Sequence, residues 1–163
     1  MRGMLVNLKN RIMNQGPIIN EVAYNWATPL SYTLKPNMIV YHHTVENDLT
    51  PERIDELHKD RGWAGIGYHF YIRKDGTIYR GRPENAIGSH AAGVNNRALG
   101  IALEGNFNIE YLTVKQRESL IELSKYLMRK YNIKDLKRHK DVRNTECPGN
   151  NFPFEEIKAA LNL

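Results

Sequence analysis

The chain has one cysteine in 163 residues, and a lone cysteine excludes any internal disulfide framework. Cys147 is therefore inert, reactive, paired with another molecule or bound to a metal. Long apolar runs are missing too. No stretch approaches the roughly 20 apolar residues that span a bilayer, so membrane insertion is not expected. The N-terminus "MRGMLVNLKNRIMNQG" is interrupted by Asn7, Lys9, Asn10 and Arg11 before a signal-like apolar run develops. The chain is expected to be made in the cytoplasm without a signal peptide. Repeats and low-complexity linkers are absent. Neither sign of charge dominates: 23 Lys and Arg against 18 Asp and Glu leave a net charge of +5. Such a surface favours encounter with polyanions, whether nucleic acid, teichoic-type polymers or a membrane surface, but names none of them. No nucleic-acid reading motif accompanies the charge, and nucleic acid is not expected as a partner.

What is present suits one soluble domain with a real core, expected to be a monomer: 41% of residues are apolar and 25% charged. Residues 1–36 read as an appendage. Leu5, Leu8 and Ile12 make a weak amphipathic helix, broken at Gly16-Pro17 and followed by the irregular "NWATPLSYTLKP". Residues 37–163 read as the domain proper. "MIVYHH" (38–43) is a strand by its β-branched and aromatic content, and Thr50-Pro51 caps a helix over 51–61. "GYHFYIRKDGTIYRG" is a hairpin turning at Asp75-Gly76, and "ALGIALEG" (98–105) is another strand. Thr113 and Gln116 form a capping box before a helical stripe of Leu120, Leu123, Leu127 and Tyr131, which gives a helix over 114–131. "FPFEEIKAALNL" closes the chain with a short helix. The fold class is α/β, with a central mixed β-sheet flanked by helices.

The chemistry concentrates in a few side chains. His42 and His43 end a strand, where successive side chains point to opposite faces, so one of the pair can face a given site. That one, with His139 and Cys147, supplies two imidazoles and a thiolate, a set that suits zinc and leaves the fourth tetrahedral position open. The plainer alternative is a small buried cysteine and histidines satisfied at the edge of a core. His-x₇-Cys is no standard zinc-finger spacing.

The blocks "VYHHT", "GWAGIGYHFYIRKDGTIYRGRP", "IGSHAAGVNNRALGIALEGNF", "LTVKQRESL" and "RHKDVRNTECPG", in that order, resemble the zinc N-acetylmuramoyl-L-alanine amidases. That family includes amidase-type phage lysozymes and animal peptidoglycan recognition proteins. The resemblance runs from about Met38 to Pro148. It implies His42, His139 and Cys147 as ligands of one zinc ion, with His43 beside the substrate groove or behind the ligands. It also implies a groove over the metal. Some relatives have aspartate where this chain has Cys147; the thiolate resembles the phage and recognition-protein branch.

A zinc hydrolase needs a group to orient or deprotonate its water. Tyr68 in "GYHF" corresponds to a tyrosine near the metal of phage amidases, and Glu104 in "ALEGNF" to a glutamate at the site of recycling-type amidases. Strand alternation puts Glu104 on the side of Gly100 and Ala102, away from Ile101 and Leu103, where small residues leave room for a ligand. Thr145 stands where phage amidases often carry lysine, as it does in catalytic recognition proteins. A hydroxyl would position or polarise, leaving more of the oxyanion stabilisation to the metal. His90, Asn95 and Asn96 offer donors and acceptors for a muropeptide, although turn chemistry after Gly93 explains the asparagines equally well. His58 reads as a solvated or boundary residue and Trp63 as a core anchor or groove wall. Five of residues 134–143 are Lys or Arg, which reads as a rim attractive to anionic wall polymers or as a solvated loop.

The expected function is hydrolysis of the amide between N-acetylmuramic acid and L-alanine of peptidoglycan, by a phage or prophage endolysin that reaches the wall after release. A recycling amidase shares the chemistry. The rival of another class is a peptidoglycan-binding module without turnover.

Overall fold

The computed structural model describes residues 16–163; the amphipathic pattern of Leu5, Leu8 and Ile12 lies outside them. The strands are β1 (Ile19–Asn20), β2 (Met38–His43), β3 (Phe70–Ile72), β4 (Ile78–Arg80), β5 (Ala98–Leu103) and β6 (Asp135–Arg138). The helices are α1 (Pro51–Asp60), α2 (Val114–Tyr131), α3 (His139–Val142) and α4 (Phe154–Ala160). The six strands form one mixed sheet in the order β1-β4-β3-β5-β2-β6. Only the β3–β4 pair, the hairpin turning through Asp75 and Gly76, is antiparallel. Gly76 has φ 84°, a left-handed conformation that glycine adopts without a Cβ penalty.

All six residues of β2 and all six of β5 are buried, as expected of central parallel strands covered on both faces. On one face Ile39, Tyr41, Leu99, Ile101 and Leu103 meet Leu120, Leu123 and Leu127 of α2 and Phe154 and Ile157 of α4, forming the main core. The Tyr41 hydroxyl is satisfied there by Ser124 Oγ at 2.7 Å, as a buried polar group must be. On the opposite face Met38 and Val40 pack with Ala91, Val94 and Ala98, while Ala102 and Tyr71 pack with Ile54 of α1. His42 points to this second face.

The helix boundaries follow their caps. Thr50 Oγ1 accepts from the Arg53 N–H ahead of α1. The Thr113–Gln116 box closes the start of α2, and Asn132, left-handed at φ 54°, ends it. Residues 16–36 lie along the domain. β1 pairs with β4, the Tyr24 hydroxyl donates to Arg80 O, Ala27 N–H to Ala64 O, and Leu34 enters the main core at 4% exposure.

Glu84 ties that side together, accepting from Arg80 Nη1 at 2.8 Å, Lys130 Nζ at 2.9 Å and the Tyr131 hydroxyl. Burial pushes its carboxyl up, but the bonds from Tyr131, Lys130 and Arg80 outweigh that and hold it below the usual range. A folded-state pKa lowered in this way stabilises above the unfolded carboxyl value, and the contribution fades as pH falls through the folded one. Glu84→Gln is expected to lose roughly 1.5–3 kcal/mol at pH 7. In denaturant unfolding the gap to the parent protein should narrow toward pH 3, and an equal gap at both pH values would refute the charge assignment.

Candidate metal centre

Strand register brings two of the three proposed ligands together. β6 runs parallel to β2 with Tyr41 opposite Arg138, so one residue further on His42 and His139 stand side by side, their ring centroids 4.6 Å apart. His139 opens α3, and the loop after α3 returns Cys147. That loop is pinned by three contacts: Lys140 N–H donates to Cys147 O at 2.8 Å, Cys147 N–H to Thr145 Oγ1 at 3.3 Å, and His43 N–H to Cys147 Sγ at 3.3 Å. One ligand atom from each of His42, His139 and Cys147 lies within 4.8 Å of the others, and His42 Nδ1 is 3.8 Å from Cys147 Sγ. Bonds of about 2.0–2.3 Å to a tetrahedral zinc place neighbouring ligand atoms roughly 3.3–3.8 Å apart. The donor set and its spacing therefore fit such an ion with little rearrangement.

The electrostatics keep this trio free of positive charge. Burial foremost, with the neighbouring His90 and His139 rings, pushes His42 well below the usual imidazole value; burial and Arg143 lower His139. Neutral imidazoles retain the lone pair that a metal needs. Burial pushes the Cys147 thiol up to about 12, against the His43 N–H and Lys140, which favour the thiolate. A metal must therefore displace the thiol proton, and retention weakens in acid.

The other expected site residues separate into distinct environments. His43 turns from the trio: its Nδ1 accepts from Phe107 N–H at 3.1 Å, and burial, chiefly, lowers it to about 4. The Tyr68 ring lies 5.2 Å from the His42 ring and 5.2 Å from that of His58. Burial, then the nearby Cys147, pushes its phenol above the ordinary value, so it keeps its proton. Glu104 projects from the same sheet face as His42, yet its carboxylate is spoken for. Arg73 donates through Nε and Nη2 at 3.2 and 3.1 Å, and Lys74 N–H donates at 3.1 Å. Burial raises this carboxyl, but the Arg73 and Lys74 bonds prevail and lower it, which makes it a weak base.

The room expected over Gly100 is filled by the His90 ring. His90 is 7% exposed, with Nδ1 2.9 Å from His42 Nε2 and Nε2 3.1 Å from Ala98 O. It sits behind the ligand His42, and both its ring nitrogens are engaged. Asn95 performs turn chemistry, its Oδ1 accepting from the N–H groups of His90 and Ala91 at 2.9 and 2.8 Å, while Asn96 is exposed. Thr145 is exposed, and its hydroxyl oxygen holds the Cys147 N–H. His58 corrects the expectation of a solvated residue: it is 4% exposed because its Nδ1 accepts from Gly67 N–H at 2.9 Å. The basic run 134–143 is not a plain loop, since its first half forms the edge strand β6.

Two hollows flank the trio. One of about 300 Å³ is lined by Val45, Leu49, His58, Arg61 and Tyr68. The other, of about 320 Å³, is lined by Trp63, His90, Asn95, His139 and Arg143. Trp63 thus forms a groove wall, its ring packed 4.7 Å from that of His58.

The fold is a helix-covered mixed sheet, and its His-His-Cys trio, with His139 lining one of the two hollows, is a donor set suited to a divalent metal. Residues 32–150 match the N-acetylmuramoyl-L-alanine amidase family, and the chain belongs to that family. Over 101 residues it is 41% identical to the endolysin of Enterobacteria phage T3, covering 58% of this chain and 66% of the relative. The chain thus spans just under two thirds of that endolysin's length. Peptidoglycan-recognition protein SC2 of Drosophila melanogaster is 33% identical over 160 residues, covering 89% of this chain and 86% of the relative. Among solved structures, the endolysin N-acetylmuramoyl-L-alanine amidase LysCS from Clostridium intestinale URNW superposes with a TM-score of 0.90 at 77% identity. That match covers 91% of this chain and 97% of the other.

Replacing the sulfur tests the trio directly. Cys147→Ser is expected to retain at least about tenfold less zinc than the parent after dialysis against a chelator. Elemental analysis of both proteins provides the readout, and equal metal content would remove Cys147 from the ligand set.

Proposed function

We propose that this chain is a zinc-dependent amidase that cleaves peptidoglycan between the lactyl group of N-acetylmuramic acid and L-alanine. In this reading one zinc ion is held by His42, His139 and Cys147, residues 37–163 are the catalytic domain and residues 1–36 its appendage. The chain acts as a monomer of the phage or prophage endolysin kind, made inside the cell and reaching the wall after release. The observation that carries the proposal is the convergence of three ligand atoms within 4.8 Å, one of them on His139 beside a hollow of about 320 Å³, in a chain of the amidase family.

When bound, zinc supplies a Lewis acid that acidifies a water and polarises the scissile carbonyl. The remaining tasks fall to the chain. The Tyr68 hydroxyl, half-buried and kept protonated chiefly by that burial, donates a hydrogen bond to the carbonyl oxygen as charge develops there and helps align the water. Thr145 positions the Cys147 loop. Trp63, Asn95 and Arg143 on one side and Arg61 on the other line the hollows offered to the glycan and stem peptide, with the exposed Asn96 next to Asn95 in sequence; His43, turned toward Phe107, stands behind the ligands. Glu104 is the weaker candidate for proton transfer, because its ion pair with Arg73 opposes protonation.

A binding module without turnover is the rival reading, since recognition proteins are among the relatives. The complete ligand trio favours the hydrolase. Release of peptides with free N-terminal L-alanine from purified cell wall, abolished by a chelator and restored by zinc, is the expected result; tight wall binding without release would favour the rival. In the same assay Tyr68→Phe should lose roughly 10²-fold or more in kcat while retaining zinc. Glu104→Gln should keep turnover within about tenfold and lose stability instead. Abolished turnover in a folded Glu104→Gln protein would instead make Glu104 the group that takes the proton of the water.

A further inference from the structure

The mechanism above leaves His90, a buried polar side chain in contact with a proposed ligand, without a task. His90 occupies a slot cut to its ring: a Cβ on Gly100 would come within 2.6 Å of its Cγ and 2.7 Å of its Nδ1, and one on Gly88 within 2.6 Å of its Cδ2. Its backbone is held by Asn95 Oδ1. Two glycines and a turn asparagine therefore place one imidazole against another.

The hydrogen-bond roles along this line are forced. Ala98 O can only accept, so His90 Nε2, 3.1 Å away, carries the proton. A neutral imidazole protonated at Nε2 has a bare Nδ1, which accepts. His42 Nε2, 2.9 Å from that Nδ1, must then donate. With its own proton at Nε2, His42 presents a bare Nδ1, and that is the atom 3.8 Å from Cys147 Sγ. We propose that His90 is a positioning residue that fixes His42 in the Nε2–H tautomer and so aims an Nδ1 lone pair at a divalent transition metal. The carbonyl of Ala98, on the strand beside β2, sets the polarity of the whole line.

Such outer partners fix ligand orientation and raise ligand basicity, and their loss typically costs about 10- to 100-fold in metal affinity. The inference deepens the zinc reading and rests on it for its metal, but the tautomer is a property of the metal-free chain and can be measured separately. Protein labelled with nitrogen-15 at histidine, without metal, is expected to show His42 protonated at Nε2 and bare at Nδ1 in two-bond proton–nitrogen correlation spectra. A proton on His42 Nδ1 would overturn the proposal.

Zinc affinity, read by competition with a chromophoric chelator, provides the second test. His90→Leu should bind zinc roughly 10- to 100-fold more weakly. His90→Asn should recover most of that loss, because its Oδ1 restores an acceptor near the place of Nδ1. Gly100→Ala should weaken binding from beneath the ring. A folded His90→Leu protein within about twofold of the parent, or His90→Asn as weak as His90→Leu, would overturn the proposal. If His90→Leu fails to fold, the spectrum of the unsubstituted protein still decides. A parent chain that takes up no zinc would refute the metal reading itself and leave the tautomer to the spectrum.

Discussion

The parallel register of β2 with β6 is the constraint from which the site follows. Pairing Tyr41 with Arg138 commits the next residue of each strand, His42 and His139, to lie together, whatever the loops do. A slip of one residue would turn His42 toward the main core and His43 toward the groove, since neighbouring strand side chains face opposite ways. The register is protected on both flanks. Ile39 and Tyr41 are fully buried against α2 and α4, and β5 fixes β2 from the other side along all six residues. The apolar core thus does more than stabilise the fold; it selects which histidine meets the sulfur.

The two faces of the sheet have different chemistry. The α2–α4 face is filled with leucine, isoleucine and aromatic side chains, with Tyr41 and Ser124 closing on each other. The opposite face carries His42, His69, His90 and Glu104, all under 9% exposed. Its polar groups are satisfied by backbone or by each other, and no buried side-chain nitrogen or oxygen among the described residues lacks a partner. Burial foremost keeps the imidazoles neutral, and neutrality makes them ligands and acceptors. Glu104, on the same face, is separated from that chemistry by Arg73.

Much of this was legible in the sequence. The Thr113–Gln116 box, the Asp75-Gly76 turn and the Thr50-Pro51 cap are local signals, and the elements they announce stand where those signals put them. His42, His139 and Cys147 carry their meaning through a family resemblance spread over the chain; their spacing alone favours an inert cysteine. What stayed hidden depended on tertiary context. β6 is short, charged and at the sheet edge, so "DLKR" has no alternation strong enough to announce a strand. His58 reads as a solvated or boundary residue and His90 as a groove residue until the Gly67 N–H that meets one and the His42 ring and Ala98 carbonyl that meet the other are known. The small residues at Gly100 and Ala102 suggest room for a ligand, but His90, contributed by a distant loop, fills the space over Gly100, and Ala102 packs against Ile54, Ile66 and Tyr71. The ion pair that engages Glu104 is hidden for a related reason, because Arg73 lies 31 positions away in sequence.

The proposed centre is two nitrogens and one sulfur that would hold a zinc ion with one position left for solvent. X-ray absorption at the zinc edge of the reconstituted protein measures that coordination directly. The expected spectrum has one sulfur at about 2.3 Å, two imidazole nitrogens at about 2.0–2.1 Å and one further light atom from water. A sphere without sulfur, or one closed by a fourth protein side chain, would contradict it.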